Sequence, residues 1–130
     1  MFNSLTGNWK IKKIIHPENS ISGNLLIKKN KKNEFLFIEN TELNASINGY
    51  QNFLIKENNK IYFYFNSGAN KGERYQMFNK NIKNPSFFNC KKDVYCMKIN
   101  KISNNFFTII TKIKGPKKNI RIYAKYFRTI

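Results

Sequence analysis

At 130 residues, with 41% hydrophobic and 15% aromatic side chains, the chain suits one packed domain spanning 1–130 and is too apolar for a disordered one. No window approaches the ~20 consecutive apolar residues of a membrane-spanning helix, so no membrane partner is expected. The formal charge of +17 excludes little by itself, because it suits either a nucleic-acid partner or a coding bias toward lysine.

Apolar residues recur at period two in short runs separated by Asn, Lys, Gly and Pro, which predicts strand after strand. Phe2–Leu5 is the best candidate for a helical turn, one that could plug a barrel end. Gly7–Ile15 follows as the first strand, with Trp9, Ile11 and Ile15 on one face. Ile21–Lys29 and Glu34–Leu43 come next, the latter placing Phe35, Phe37 and Glu39 on a common face. The turn Glu57-Asn58-Asn59-Lys60 joins strands 51–56 and 60–66 as a hairpin. Glu73–Asn79 is a further strand, and 79–85, with three Asn and a Pro, reads as a loop. Val94–Ile102, Asn105–Lys114 and Asn119–Thr129 complete the series, divided by turns at Ser103-Asn104 and at Gly115-Pro116-Lys117-Lys118. About nine to ten strands with short connections predict an all-β meander closed into an antiparallel barrel, since closure protects the edges of so large a sheet. A two-sheet sandwich is the alternative architecture.

The composition favours the bland account of the charge. Lysine supplies 21 of the 24 basic residues and arginine three, beside 22 Asn and 18 Ile, the bias of an A/T-rich coding sequence. The lysines also fall in scattered pairs, such as Lys12-Lys13, Lys28-Lys29 and Lys91-Lys92, whereas a nucleic-acid reader gathers arginine and aromatics on one face. Nucleic acid therefore ranks behind a small molecule as the expected partner. Met1–Thr6 lacks the apolar core of a signal peptide, which predicts a cytoplasmic protein with Cys90 and Cys96 reduced. On one strand those cysteines would stand roughly 20 Å apart, too far to bridge. Their spacing fits no zinc motif and His16, before Pro17, is the only histidine, so neither metal nor cofactor is expected.

Gly7-Asn8-Trp9 and Arg128, after Tyr126-Phe127, match two marks of the lipocalin-like (calycin) superfamily: Gly-x-Trp on the first strand and an arginine on the last that packs across the indole. Over nearly the whole chain the order of landmarks resembles the lipocalin-like family catalogued as domain of unknown function 6314. Those landmarks are Gly7-Asn8-Trp9, Phe37-Ile38-Glu39 followed by Leu43, Cys90-Lys91-Lys92-Asp93-Val94-Tyr95, and Gly115-Pro116-Lys117-Lys118-Asn119 leading to Tyr126-Phe127-Arg128. The resemblance implies a lipocalin-like barrel. The sequence departs from the family at Phe88-Asn89-Cys90 and Tyr75-Gln76-Met77, where relatives often carry histidines, and at Tyr50-Gln51-Asn52-Phe53, where they carry an arginine. Chemistry that depends on those histidines is not expected here.

Gly7, Trp9, Arg128, Gly115 and Pro116 read as structural signature. Glu39, Arg74, Asp93, Tyr95, Arg121 and Tyr123 are the candidates for fixing a polar group of a ligand inside the barrel. For Glu39 an outward position competes with that role, and for Asp93 a strand-capping one. The Gly115–Lys118 turn reads as a plain hairpin ahead of an anion site. No Ser-His-Asp set, catalytic carboxylate pair or phosphate-cradling glycine loop can be assembled, so no catalytic residue is assigned. The leading expectation is a binding or carrier protein enclosing a small, partly apolar molecule. A non-metal lyase or isomerase acting on such a ligand, and RNA binding through the basic exterior, are the alternatives. Exposed aromatic strands leave pairing of two barrels open.

Overall fold

The structure, a computed structural model, describes residues 1–16, 19–44 and 47–129. A 3-10 turn at Phe2–Leu5 leads into ten strands. They are β1 (Gly7–His16), β2 (Asn19–Lys31), β3 (Glu34–Asn44), β4 (Ile47–Glu57) and β5 (Lys60–Phe65), then β6 (Arg74–Asn79), β7 (Ser86–Cys90), β8 (Asp93–Ser103), β9 (Phe106–Lys114) and β10 (Asn119–Arg128). All ten form one antiparallel sheet in the order β6-β5-β4-β3-β2-β1-β10-β9-β8-β7, and the sandwich alternative is thereby set aside. The one strand the sequence pattern does not announce is β7. Phe87 is 64% exposed beside the half-buried Phe88, so this short run lacks an apolar-polar alternation. Pro17, which follows His16, lies outside the described residues.

The terminal strands of the sheet, β6 and β7, meet to make a nearly closed barrel. Side chains span this seam: the Met77 N–H donates to Ser86 Oγ (2.9 Å), and Gln76 Nε2 donates to the Tyr95 carbonyl (3.3 Å). Cys90 and Cys96 lie on the two strands of the β7–β8 hairpin, not on one strand. Cys90 is paired with Asp93 and Cys96 with Phe87, and both cysteines are free.

One barrel end is filled. Phe2, on the 3-10 turn, packs on Phe35 and Phe63 with ring centroids 6.1 and 5.9 Å apart, and its N–H donates to Glu57 Oε1 (2.9 Å). Trp9 is fully buried, donates from Nε1 to the Leu5 carbonyl (2.9 Å) and meets Phe107 edge-on at 4.8 Å. The Arg128 guanidinium sits 4.4 Å over the indole and donates to the carbonyls of Ser4, Thr6 and Asn104 at 2.7–2.9 Å. Gly7 follows from this arrangement. Its φ is +130°, and a Cβ there would come within 2.9 Å of Arg128 Nη1. The Gly-x-Trp and arginine marks thus form one cap that binds the turn to the first and last strands.

Candidate functional site

Away from the cap the barrel interior is not filled. A cavity of ≈ 100 Å³ lies there, walled by Phe37, Phe53, Phe63, Met97 and Ile109 and reaching the surface beside Gln51. A water takes about 30 Å³ and an apolar cavity that holds benzene runs to about 150 Å³, so this is room for a few waters or part of a ring.

A polar cluster is built into this apolar wall. Glu39, on β3, shares the inward face with Phe35 and Phe37 and is 2% exposed. Lys13 takes the next inward position after Trp9 and Ile11 on β1, and its Nζ lies 2.6 Å from Glu39 Oε2. On β10 Ile122, Ala124 and Tyr126 face the cavity, and the Tyr126 hydroxyl donates to Glu39 Oε1. Both carboxylate oxygens are therefore engaged, as a buried charge requires. Tyr126 stacks on Phe107 at 4.5 Å. Burial pushes its phenol well above 10.0, and the Glu39 charge and hydrogen bond push in the same direction.

Tyr75 and Tyr95 complete the polar lining. A bulge opposite Phe63 and Tyr64 breaks the alternation of β6, so Gln76 is buried while Tyr75 also lines the cavity. Tyr75 stacks on Phe53 at 5.2 Å, and its phenol rises from 10.0 to about 12. Burial is the main cause, partly offset by a hydrogen bond from Gln76 and reinforced by Tyr95 and Glu39. Tyr75 and Tyr126 are therefore hydroxyl donors at neutral pH. The Tyr126 proton is committed to Glu39, so Tyr75 and the Lys13 N–H groups are the donors open to an acceptor atom entering the cavity.

The sequence candidates divide. Glu39 and Tyr95 line the cavity. Arg121 is exposed and Tyr123 half-buried on the outer face of β10, an odd number of residues from inward Tyr126. Arg74 is exposed, its Nη1 4.0 Å from Met77 Sδ. Asp93 ties two turns together: its carboxylate is 3.4 Å from Lys118 Nζ and occupies the space a Cβ on Gly115 would need. Gly115 is thus demanded by Asp93, and Pro116 stands exposed beside it.

Lys13, Gln51, Tyr75, Thr111 and Tyr126 are the polar lining residues that sequence reading missed. Lys13 was legible as the polar member of the series Trp9, Ile11, Lys13, Ile15, and Tyr126 through its even spacing from Arg128. The bulge that turns Tyr75 inward has no sequence signal. Among the described residues no three His, Cys, Asp or Glu side chains gather closely enough for a metal ion, and no helix is long and apolar enough to cross a membrane.

The model of the family described as "Family of unknown function (DUF6314)" matches residues 5–128. The chain belongs to the DUF6314 family. A comparison with curated proteins finds no match. Among solved structures, the DUF6314 barrel is similar to the S-type phycobiliprotein lyase CPES from Guillardia theta, with a TM-score of 0.64 and 8% identity over 99% of this chain and 90% of that one. It also resembles a redesigned β-barrel, mFAP0, bound to DFHBI (TM-score 0.58, 7% identity, 96% and 99% covered). A protein of unknown function from the DUF3598 family of Nostoc punctiforme gives 0.60 at 13% identity, covering 99% of this chain but 49% of the other. At these identities the likeness is one of fold alone, that of a β-barrel.

Proposed function

We propose that this barrel is a binding protein for a small, partly apolar molecule bearing a hydrogen-bond acceptor. The observation that carries the reading is the Lys13–Glu39–Tyr126 cluster set into the aromatic wall of an interior cavity. A buried ion pair is often no more stabilising than apolar residues of the same volume, so its presence beside an unfilled space favours a binding role. The designed barrel bound to DFHBI and the phycobiliprotein lyase support the reading at the level of fold. Phe37, Phe53 and Phe63 hold the apolar body, while Lys13, Tyr75 and Tyr95 donate to its acceptor oxygen. Single-ring aromatic carbonyl compounds, such as acetophenone and benzamide, carry such an acceptor on an apolar ring, and part of the molecule would extend to the mouth beside Gln51.

Calorimetric titration with these two compounds tests the assignment. Tyr75→Phe and Tyr95→Phe each remove only a hydroxyl and should weaken binding about three- to tenfold, the worth of one hydrogen bond. Arg121→Ala, on the outside, should leave affinity unchanged. Equal effects of inner and outer variants would defeat the interior site.

A further inference from the structure

Lysines scattered along the chain are not scattered in space. On β1, β10, β9 and β8, which are neighbours in the sheet, the cross-strand register aligns the outward residues into rows. One row places Lys12 opposite Lys125. Another places Arg121 opposite Lys112. Lys10 flanks the first row, and Lys98 and Lys114 add outward cations on β8 and β9. Beyond Lys114 the β7–β8 and β9–β10 turns carry the exposed Lys91, Lys92, Lys117 and Lys118.

Carboxylates are distributed differently. Among the described residues none points outward from these four strands. Asp93 turns toward Gly115 and Lys118, and Glu42, an outward carboxylate among the described residues, lies two strands from Lys12 across Ser22. On the opposite flank Glu34 and Glu73 stand among the cations, and Glu34 is 3.8 Å from Lys56. A coding bias enriches lysine everywhere, but it does not by itself keep the described carboxylates off one face.

Rings lie between the cations. Tyr123 occupies the row between Lys12–Lys125 and Arg121–Lys112, with Lys125 Nζ 5.6 Å from its ring centroid. Phe127, 39% exposed, lies beyond the first row and packs on Phe106 at 5.0 Å. Arg121 and Lys125 are four residues apart on one strand, roughly 13 Å at ~3.3 Å per residue. We propose that this face binds single-stranded nucleic acid, with phosphates on the cationic rows and unpaired bases stacked on Tyr123 and Phe127. Phosphate attraction alone needs only the cations; rings between them suit bases that are free to stack. A duplex keeps its bases stacked on one another and leaves these rings no partner.

The test is fluorescence anisotropy of a labelled oligouridine of about sixteen nucleotides, the upper end of single-strand site sizes, with the full chain. The logarithm of affinity should fall with the logarithm of salt at a slope of about −3.5 to −5, for five to seven phosphate contacts at roughly 0.7 each. Lys12→Glu/Lys125→Glu should cost about tenfold or more. A double reversal on the other flank, Lys60→Glu/Lys71→Glu, carries the same charge change and should stay within about twofold. Tyr123→Ala/Phe127→Ala should cost about fivefold or more, as loss of base stacking does. A flat salt dependence, or equal losses from the two charge reversals, would overturn the face. Unchanged affinity in the ring variant, with heparin competing as well as oligouridine, would overturn the nucleic-acid assignment in favour of a general polyanion surface.

Discussion

Glu39 shows how a single carboxylate organises the barrel interior. It is buried, and its two oxygens are held by Lys13 and by Tyr126. Breaking a buried pair leaves one charge without compensation, whereas replacing both partners by apolar groups is often neutral. Lys13→Met should therefore destabilise the protein by about 3 kcal/mol, and Lys13→Met/Glu39→Leu should recover most of that loss. Denaturant unfolding of the three proteins checks this, and a double variant as unstable as the single one would refute it. The phenols give a second handle. The folded-state pKa of Tyr75 is about 12, above the ordinary 10.0, because burial disfavours its phenolate, and Tyr126 is displaced in the same direction. A group that holds its proton more tightly when folded contributes stability that is complete below its unfolded pKa. That contribution is lost as pH rises from about 10 toward 12. An ultraviolet alkaline titration should show late-appearing phenolate that diminishes in Tyr75→Phe and in Tyr126→Phe.

At the scale of elements, the first and last strands and the 3-10 turn are fastened by Arg128. Its three carbonyl acceptors belong to the turn and to the β8–β9 connection, and its plane covers Trp9. Hydrogen bonds from a charged donor are worth about 1.5–3 kcal/mol each where water is excluded, less where it is not. This guanidinium is partly exposed, so Arg128→Ala should cost roughly 2–4 kcal/mol in total. Arg128→Lys should not restore the loss, because an ammonium cannot span three carbonyls while lying flat on an indole. Thermal or denaturant unfolding reads both variants. The period of two made nearly every strand legible, and it also held the inward lysine: Lys13 has the parity of Trp9 and Ile11. The same parity places Arg121 and Tyr123 outside once Tyr126 and Arg128 are inside. The inward turn of Tyr75 depends on one extra residue in β6 opposite β5, which no local pattern marks. β7 was missed because Phe87 is an exposed aromatic where alternation calls for a polar residue.

Over the whole molecule, closure converts local alternation into two surfaces with different chemistry. The inner one is aromatic and filled beneath the cap, and open around Lys13, Glu39 and Tyr126 toward the other end. The outer one is basic, and register rather than sequence spacing gathers Lys12, Lys125, Arg121 and Lys112 on one flank. That gathering could not be read from lysine pairs along the chain, because it arises between strands more than a hundred residues apart in sequence, as Lys12 and Lys125 are. The central claim concerns the inner surface, and native mass spectrometry of the gently purified protein, beside its Glu39→Gln variant, tests it most directly. An occupied interior gives a small added mass on the intact barrel that disappears on denaturation and is reduced in Glu39→Gln. The bare chain mass throughout, even after incubation with a metabolite extract, would contradict it.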